Sequence, residues 1–195
     1  MSQVLELIKK RRTTRAYKSE QIKDEELNQI LEAGLWAPSG HNMQPWHFVV
    51  IQNQEVIDGL NIDTKKVMEG FHIEEFRKWG TNEKFNIFYN APTVILAMYD
   101  EKGLTPVQDI SAATQNMLLM AESLEVGACW NGMVSIGFGD EGMSKKYVEK
   151  LNFGSKLKPK KIVELSAVSP NVRKNKDGSI SRRWFMLPSL AKRHK

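Results

Sequence analysis

Two short segments concentrate the side chains able to do chemistry. Arg11-Arg12-Thr13-Thr14-Arg15 puts three guanidiniums and two hydroxyls into five residues. Arginine is always charged and grips phosphate through paired N–H bonds, and hydroxyls add short directional ones. The array therefore suits a phosphate ester. Its alternative is a solvated helix end, where cations suit the negative terminus. The second segment is Ala37-Pro38-Ser39-Gly40-His41-Asn42-Met43-Gln44-Pro45-Trp46-His47. Proline and glycine fix an irregular backbone there, and Ser39, His41, Asn42 and Gln44 crowd neutral donors and acceptors around it. A rigid loop of that kind can hydrogen-bond the edge of a flat heterocycle. The alternative is a polar turn with Trp46 in the core.

Other reactive residue types offer less. Cys129 is the only cysteine of the 195 residues, which excludes an internal disulfide, a Cys-x-x-Cys couple and a four-cysteine cluster. On a short apolar stretch it reads as a buried packing residue. His41, His47 and His72 lack metal-ligand spacing, so no metal site is expected. The glycine-rich run Gly137-Phe138-Gly139-Asp140-Glu141-Gly142 lacks the dinucleotide-fold context and reads as a loop. The net charge of +5 is spread over short basic clusters without interleaved aromatics, so no nucleic acid is expected as a partner. No apolar run reaches membrane-spanning length, and Met1 to Ile8 does not read as a signal peptide. These features predict a protein of the cytoplasm with no membrane partner.

The elements that must position the two segments are legible from periodicity. A helix over Val4–Lys10 precedes the arginine cluster. A second begins at Asp24 as its cap, carries Leu27, Ile30, Leu31, Gly34 and Leu35 on one face, and is stopped by Pro38. Strands are predicted over His47–Ile51, Thr93–Tyr99, Gly127–Trp130 and Lys161–Val168, with mixed helix from Asn53 to Tyr89. Thr105-Pro106-Val107-Gln108 reads as a capping box with proline at the first helical position. The helix it opens is predicted to run to Val126 and to end at Gly127. It has no charge from Ile110 to Met120, so it should be buried all round, shared with a partner subunit. Alternating helices and short strands indicate an α+β or α/β layer protein.

In order, these pieces resemble the FMN-dependent nitroreductase family. The resemblance rests on Arg11-Arg12-Thr13-x-Arg15, on Ala37-Pro38-Ser39-Gly40-x-Asn42-x-Gln44-Pro45-Trp46-x-Phe48, on Ala113-x-Gln115-Asn116-x-Leu118-Leu119, and on Gly127-x-Cys129-Trp130, which stands for the family's Gly-x-x-Cys-Trp with the glycine only two residues before the cysteine. It covers most of residues 1 to 130 and returns at the basic tail. It implies an α+β fold with a central, mostly antiparallel sheet flanked by helices. It further implies an FMN-binding domain over 1–170 and a C-terminal arm over 171–195 exchanged across a homodimer.

The roles implied by the resemblance fall on particular residues. Arg11, Arg12 and Thr13 would hold the FMN phosphate and ribityl chain, and Arg15 the N1/O2 edge of the ring. Pro38, Ser39 and Gly40 of the other subunit would lie against the ring, with Asn42 and Gln44 supporting that loop. Arg182 or Arg183 would complete the phosphate site, and Asn82 or Asn86 would supply a middle-segment contact. The implied activity is ping-pong transfer of reducing equivalents from NADH or NADPH to small oxidised organics such as nitroaromatics or quinones, with no protein acid or base. A flavin-consuming, dehalogenating or dehydrogenase reaction, or flavin binding without catalysis, are the alternatives. Two features depart from the family: Met133 to Phe138 keeps a glycine but lacks an acidic residue, and Val168-Ser169-Pro170 replaces Gly-Tyr-Pro.

Overall fold

A computed structural model of the chain describes residues 2–151 and the strand 162–170. The elements run α1 (Gln3–Lys10), α2 (Asp24–Leu35), a 3-10 turn (Gly40–Asn42), β1 (Trp46–Ile51), α3 (Gln54–Glu69), α4 (Glu74–Thr81) and β2 (Val94–Tyr99). There follow α5 (Pro106–Ser123), β3 (Val126–Trp130), α6 (Val134–Phe138), α7 (Glu141–Lys150) and β4 (Ile162–Pro170). The predicted arm over 171–195, with Arg182 and Arg183, lies outside the described residues.

The four strands form one sheet in the order β1-β2-β4-β3, and every neighbouring pair is antiparallel. Trp46 pairs with Tyr99 and Ile51 with Val94, which fixes β1 against β2. Every residue of β2 is buried, and its side chains divide by the two-residue period of a strand. Ile95, Ala97 and Tyr99 join Ile30, Ile110, Ala113, Met117 and Ala121, the layer supplied by α2 and α5. Val94, Leu96 and Met98 join Ile57, Leu60, Met68, Val134, Phe138 and Tyr147, supplied by α3, α6 and α7. Two layers of helix on one sheet thus give two cores, each fully buried Val, Leu, Ile, Phe or Met side chain there contributing about 1.5–3 kcal/mol.

Several expectations are corrected at element ends. Asp24 is the first residue of α2, and Lys23 holds the cap position; its backbone N–H donates to the Glu26 carboxylate at 3.2 Å. Thr105 makes no cap bond, because its hydroxyl donates to Asp109 instead, at 2.8 Å; Pro106 does take the first helical position. α5 stops at Ser123, the chain turns at Glu125 with φ 59°, and Gly127 lies inside β3. The glycine-rich run is helical on both sides: Gly137 and Phe138 end α6, and the Asp140 carboxylate caps α7 by accepting from the Met143 N–H at 2.8 Å. Within one chain α5 leaves Leu119 and Met120 half-buried and Gln115 exposed, surface that the expected sharing with a partner subunit would cover.

Candidate functional site

After α1 the chain runs along the outer edge of β3. The Thr14 N–H donates to the Ala128 carbonyl at 2.9 Å, and Thr13 forms a parallel bridge with Ala128. Gly127 permits this approach, since a Cβ there would stand 2.9 Å from Thr14 Cγ2. Thr14 is buried, so by strand alternation its neighbours Thr13 and Arg15 face outward, and both are exposed. Arg11 is half-buried. Arg12 turns back on α1: its Nη1 donates to the carbonyls of Lys9 at 2.6 Å and Arg11 at 2.9 Å. It closes the carbonyl end of that helix, the role that competed with phosphate binding in the sequence.

Arg15 is held by an aromatic face, its guanidinium carbon 5.8 Å from the Tyr89 ring centre. Tyr17 lies beneath, its hydroxyl donating to the Thr14 carbonyl at 2.5 Å. Burial pushes the Tyr17 phenol well above its ordinary pKa; nearby Cys129 and Tyr89 push it further, and Arg15 pulls it back. Cys129 is 2 % exposed, the packing residue expected.

Tyr89 and Asn90 both lie in the left-handed region, at φ 55° and 59°. Asparagine side chains hold the turn that carries them. Asn61 Oδ1 accepts from the Ile87 N–H at 2.9 Å, Asn86 Oδ1 accepts from the Phe88 N–H at 2.8 Å, and Asn131 Nδ2 donates to the Ile87 carbonyl at 2.6 Å. Asn131 is 4 % exposed and also accepts from the Met133 N–H, at 2.9 Å. It therefore ties the loop after β3 to the Tyr89 turn. Of the two candidate asparagines, Asn86 belongs to this turn. Asn82 is exposed and takes the Lys84 N–H at 3.1 Å. The loop after β3 keeps its open glycine at Gly132, where a Cβ would meet nothing within 4 Å. Gly137 is instead packed inside α6 against Thr64 and Met143.

The second segment is built at the start of α5. Ser39 Oγ accepts from the Gln44 N–H at 3.0 Å, and the Gly40 N–H donates to Asp109 Oδ1 at 3.1 Å. His41, Asn42 and Gln44 sit at φ 52°, 52° and 45°, conformations that cost of order 1 kcal/mol or more and persist only where surroundings hold them. Pro38, Asn42 and Gln44 are exposed, Ser39 and Gly40 half-buried.

One chain does not bring the two segments together. The arginine segment lies near the end of α5, where Lys10 pairs with Glu122 at 3.8 Å, whereas the Ser39 loop is bonded to Asp109 near its start. At 1.5 Å per residue those attachment points are about 20 Å apart along the helix. Tyr17, Tyr89, Asn131 and Asp109 carry no motif of their own. An acidic residue in a first helical turn reads simply as a complement to the helix dipole.

Among the described residues no helix is long and apolar enough to cross a membrane, and no cluster of His, Cys, Asp or Glu could hold a metal. The overall fold is shared with known proteins. The nitroreductase family profile matches residues 8–151, and the chain belongs to that family. A protein of Archaeoglobus fulgidus carrying the provisional name NADH dehydrogenase/NAD(P)H nitroreductase is 36% identical over 138 residues, 68% of this chain and 69% of the relative. One of the same provisional name from Methanothermobacter thermautotrophicus is 33% identical over 149 residues, 74% of this chain and 68% of the relative. A nitroreductase from Bacteroides fragilis, solved with bound FMN, superimposes with a TM-score of 0.81 at 28% identity, covering 100% of both chains.

Proposed function

We propose that the protein is an FMN-dependent NAD(P)H oxidoreductase acting on small oxidised organic molecules such as nitroaromatics or quinones. The observation that carries this reading is the segment Thr13–Arg15, pinned to the sheet edge with its hydroxyl and guanidinium facing outward. The donor set fits FMN. Arg11 and Thr13 take the phosphate and ribityl chain, while Arg12 adds charge there as its Nη1 closes α1. Arg15, steadied by Tyr89, offers a fixed cation to the N1/O2 edge, where negative charge collects on reduction. Pro38, Ser39 and Gly40 of a second copy support the ring, backed by Asn42 and Gln44. Arg182 or Arg183 from the 171–195 arm completes the phosphate site.

FMN, when bound, would supply the two-electron redox chemistry that links NADH or NADPH to the acceptor. The chain's own part is to orient the ring, stabilise its charge and shape a slot that donor and acceptor occupy in turn, a ping-pong order. No residue of the site is placed as an acid or base. The site is shared between two copies, because the segments that complete it stand at opposite ends of α5. One cysteine per chain cannot form an internal disulfide, which suits the reducing cytoplasm.

The test is the absorption spectrum of the purified protein, followed by anaerobic addition of NADH and then NADPH. Flavin bands that bleach on addition support both the cofactor and the donor. A protein that stays colourless after FMN is supplied overturns the assignment of Arg11 to Arg15 and Pro38 to Gln44.

A further inference from the structure

Among the described residues, Asp109 is the one charged residue that is buried, at 4 % exposure, and it lies beneath the Ser39–Gln44 loop. Its Oδ1 accepts from the Gly40 N–H at 3.1 Å and from the Thr105 hydroxyl at 2.8 Å. Its Oδ2 is buried and, among the described residues, has no hydrogen-bond partner. A buried carboxylate oxygen left unmatched is costly, and its presence calls for a reason. Directly after Gly40 come His41, Asn42 and, one residue on, Gln44, all left-handed. Such a loop keeps its shape only if its entry is fixed. The entry is fixed at Gly40, whose Cα packs so closely on Thr105 Oγ1 that a Cβ would collide with it.

We infer that Asp109 is a positioning residue for the flavin: its carboxylate clamps Gly40 to the first turn of α5 and so sets the face that Pro38–Gly40 presents to the ring. The clamp touches no reacting atom and acts through the loop. Thr105 contributes by fixing the carboxylate's rotamer, since its own side chain makes no cap bond to α5. The inference rests on the flavin reading for its consequence, though not for the clamp itself.

Three variants of the full-length protein test it: Asp109→Leu, Asp109→Asn and Thr105→Val. Two readouts are taken, hydrogen exchange of a peptide covering residues 38–45 without FMN, and FMN affinity by fluorescence titration with the flavin's visible circular dichroism. Asp109→Leu is expected to speed exchange, to alter the dichroism and to weaken FMN roughly tenfold or more, as for loss of one buried charged hydrogen bond. Asp109→Asn keeps an acceptor oxygen for both donors and should stay within about threefold of wild type on the same scale. Thr105→Val should speed exchange to a smaller extent.

Wild-type exchange and affinity in Asp109→Leu overturn the inference, as does an equal loss in Asp109→Asn and Asp109→Leu. Should Asp109→Leu fail to fold, exchange in Thr105→Val decides, and an unchanged rate there overturns the clamp. Failure of wild-type protein to bind FMN would sink the proposed function and the flavin consequence with it, while the clamp is still decided by the exchange readout, which needs no flavin.

Discussion

At the scale of single residues, Arg15 carries the sharpest consequence. Its guanidinium is exposed yet steadied over Tyr89. A cation in that place stabilises charge on a reduced flavin more than on an oxidised one, so it acts on the potential as well as on affinity. Arg15→Ala is expected to weaken FMN by about 1.5–3 kcal/mol, the range for a charged hydrogen bond. It should also lower the two-electron potential by about 30 mV for each 1.4 kcal/mol of differential stabilisation lost. Fluorescence titration and dye-equilibrated reduction read the two effects, and Arg15→Lys should retain most of the second. An unmoved potential in Arg15→Ala would remove Arg15 from the ring edge. Beneath it, Tyr17 ties pH to stability. Burial first, then Cys129 and Tyr89, raise its folded-state pKa above the unfolded value near 10. Its contribution is therefore complete below about pH 10 and is lost as pH rises through the folded value. Denaturant melts between pH 9 and 11.5 should show a decline that Tyr17→Phe flattens.

At the scale of elements, Gly127 decides whether the arginine segment reaches the sheet. Thr14 Cγ2 would stand 2.9 Å from a Cβ at that position and Thr14 Cβ 3.2 Å from it. Gly127→Ala must therefore push the segment off β3 or shift the strand, at about 1–3 kcal/mol as for other overpacking. Shortening its neighbour with Thr14→Ala should recover part of the loss, and a double-mutant cycle by thermal or urea melts measures that coupling. Simple additivity would mean the contact is slack. The same glycine marks the limit of what can be read locally. Periodicity locates α2, α5, β1 and β2 because one-sided burial leaves a regular pattern in neighbouring residues. Gly127 resembles a helix stop, yet its reason is a segment more than a hundred positions away, and Glu125 makes the turn in its place. Gly137 likewise resembles a loop residue and is instead wedged between Thr64 and Met143. The residue types of the site are legible at Arg11 to Arg15 and Pro38 to Gln44. Their supports, Asp109 to Gly40 and Asn131 to Ile87, are long-range hydrogen bonds that no spacing announces.

At the scale of the whole molecule, the length of α5 is the controlling dimension. Its 18 residues span about 27 Å, and the two halves of the proposed site are fixed near its opposite ends. A flavin ring does not span that distance, so the proposed site requires its halves to come from two copies. The surface beside the helix fits such a contact: Trp36 is 80 % exposed and borders an apolar groove with Leu7, Ala33, Leu119 and Met120. A large aromatic left in water next to such a groove is a feature of surfaces that pair. The arrangement makes a prediction that a self-contained site could not meet. Chains with Arg15→Ala lose the cationic half, and chains with Gly40→Val lose the loop half, because a side chain at 40 collides with Thr105. Each homodimer then carries two defective sites. A heterodimer of the two carries one doubly defective site and one assembled wholly from wild-type residues. Co-expressed with two affinity tags and purified for both, the mixed dimer should bind about one FMN per two chains with near wild-type affinity, as halves on separate copies require. Flavin content no higher than in the parent variants would place both halves on one chain, and the separation along α5 would then have to be closed by rearrangement within that chain.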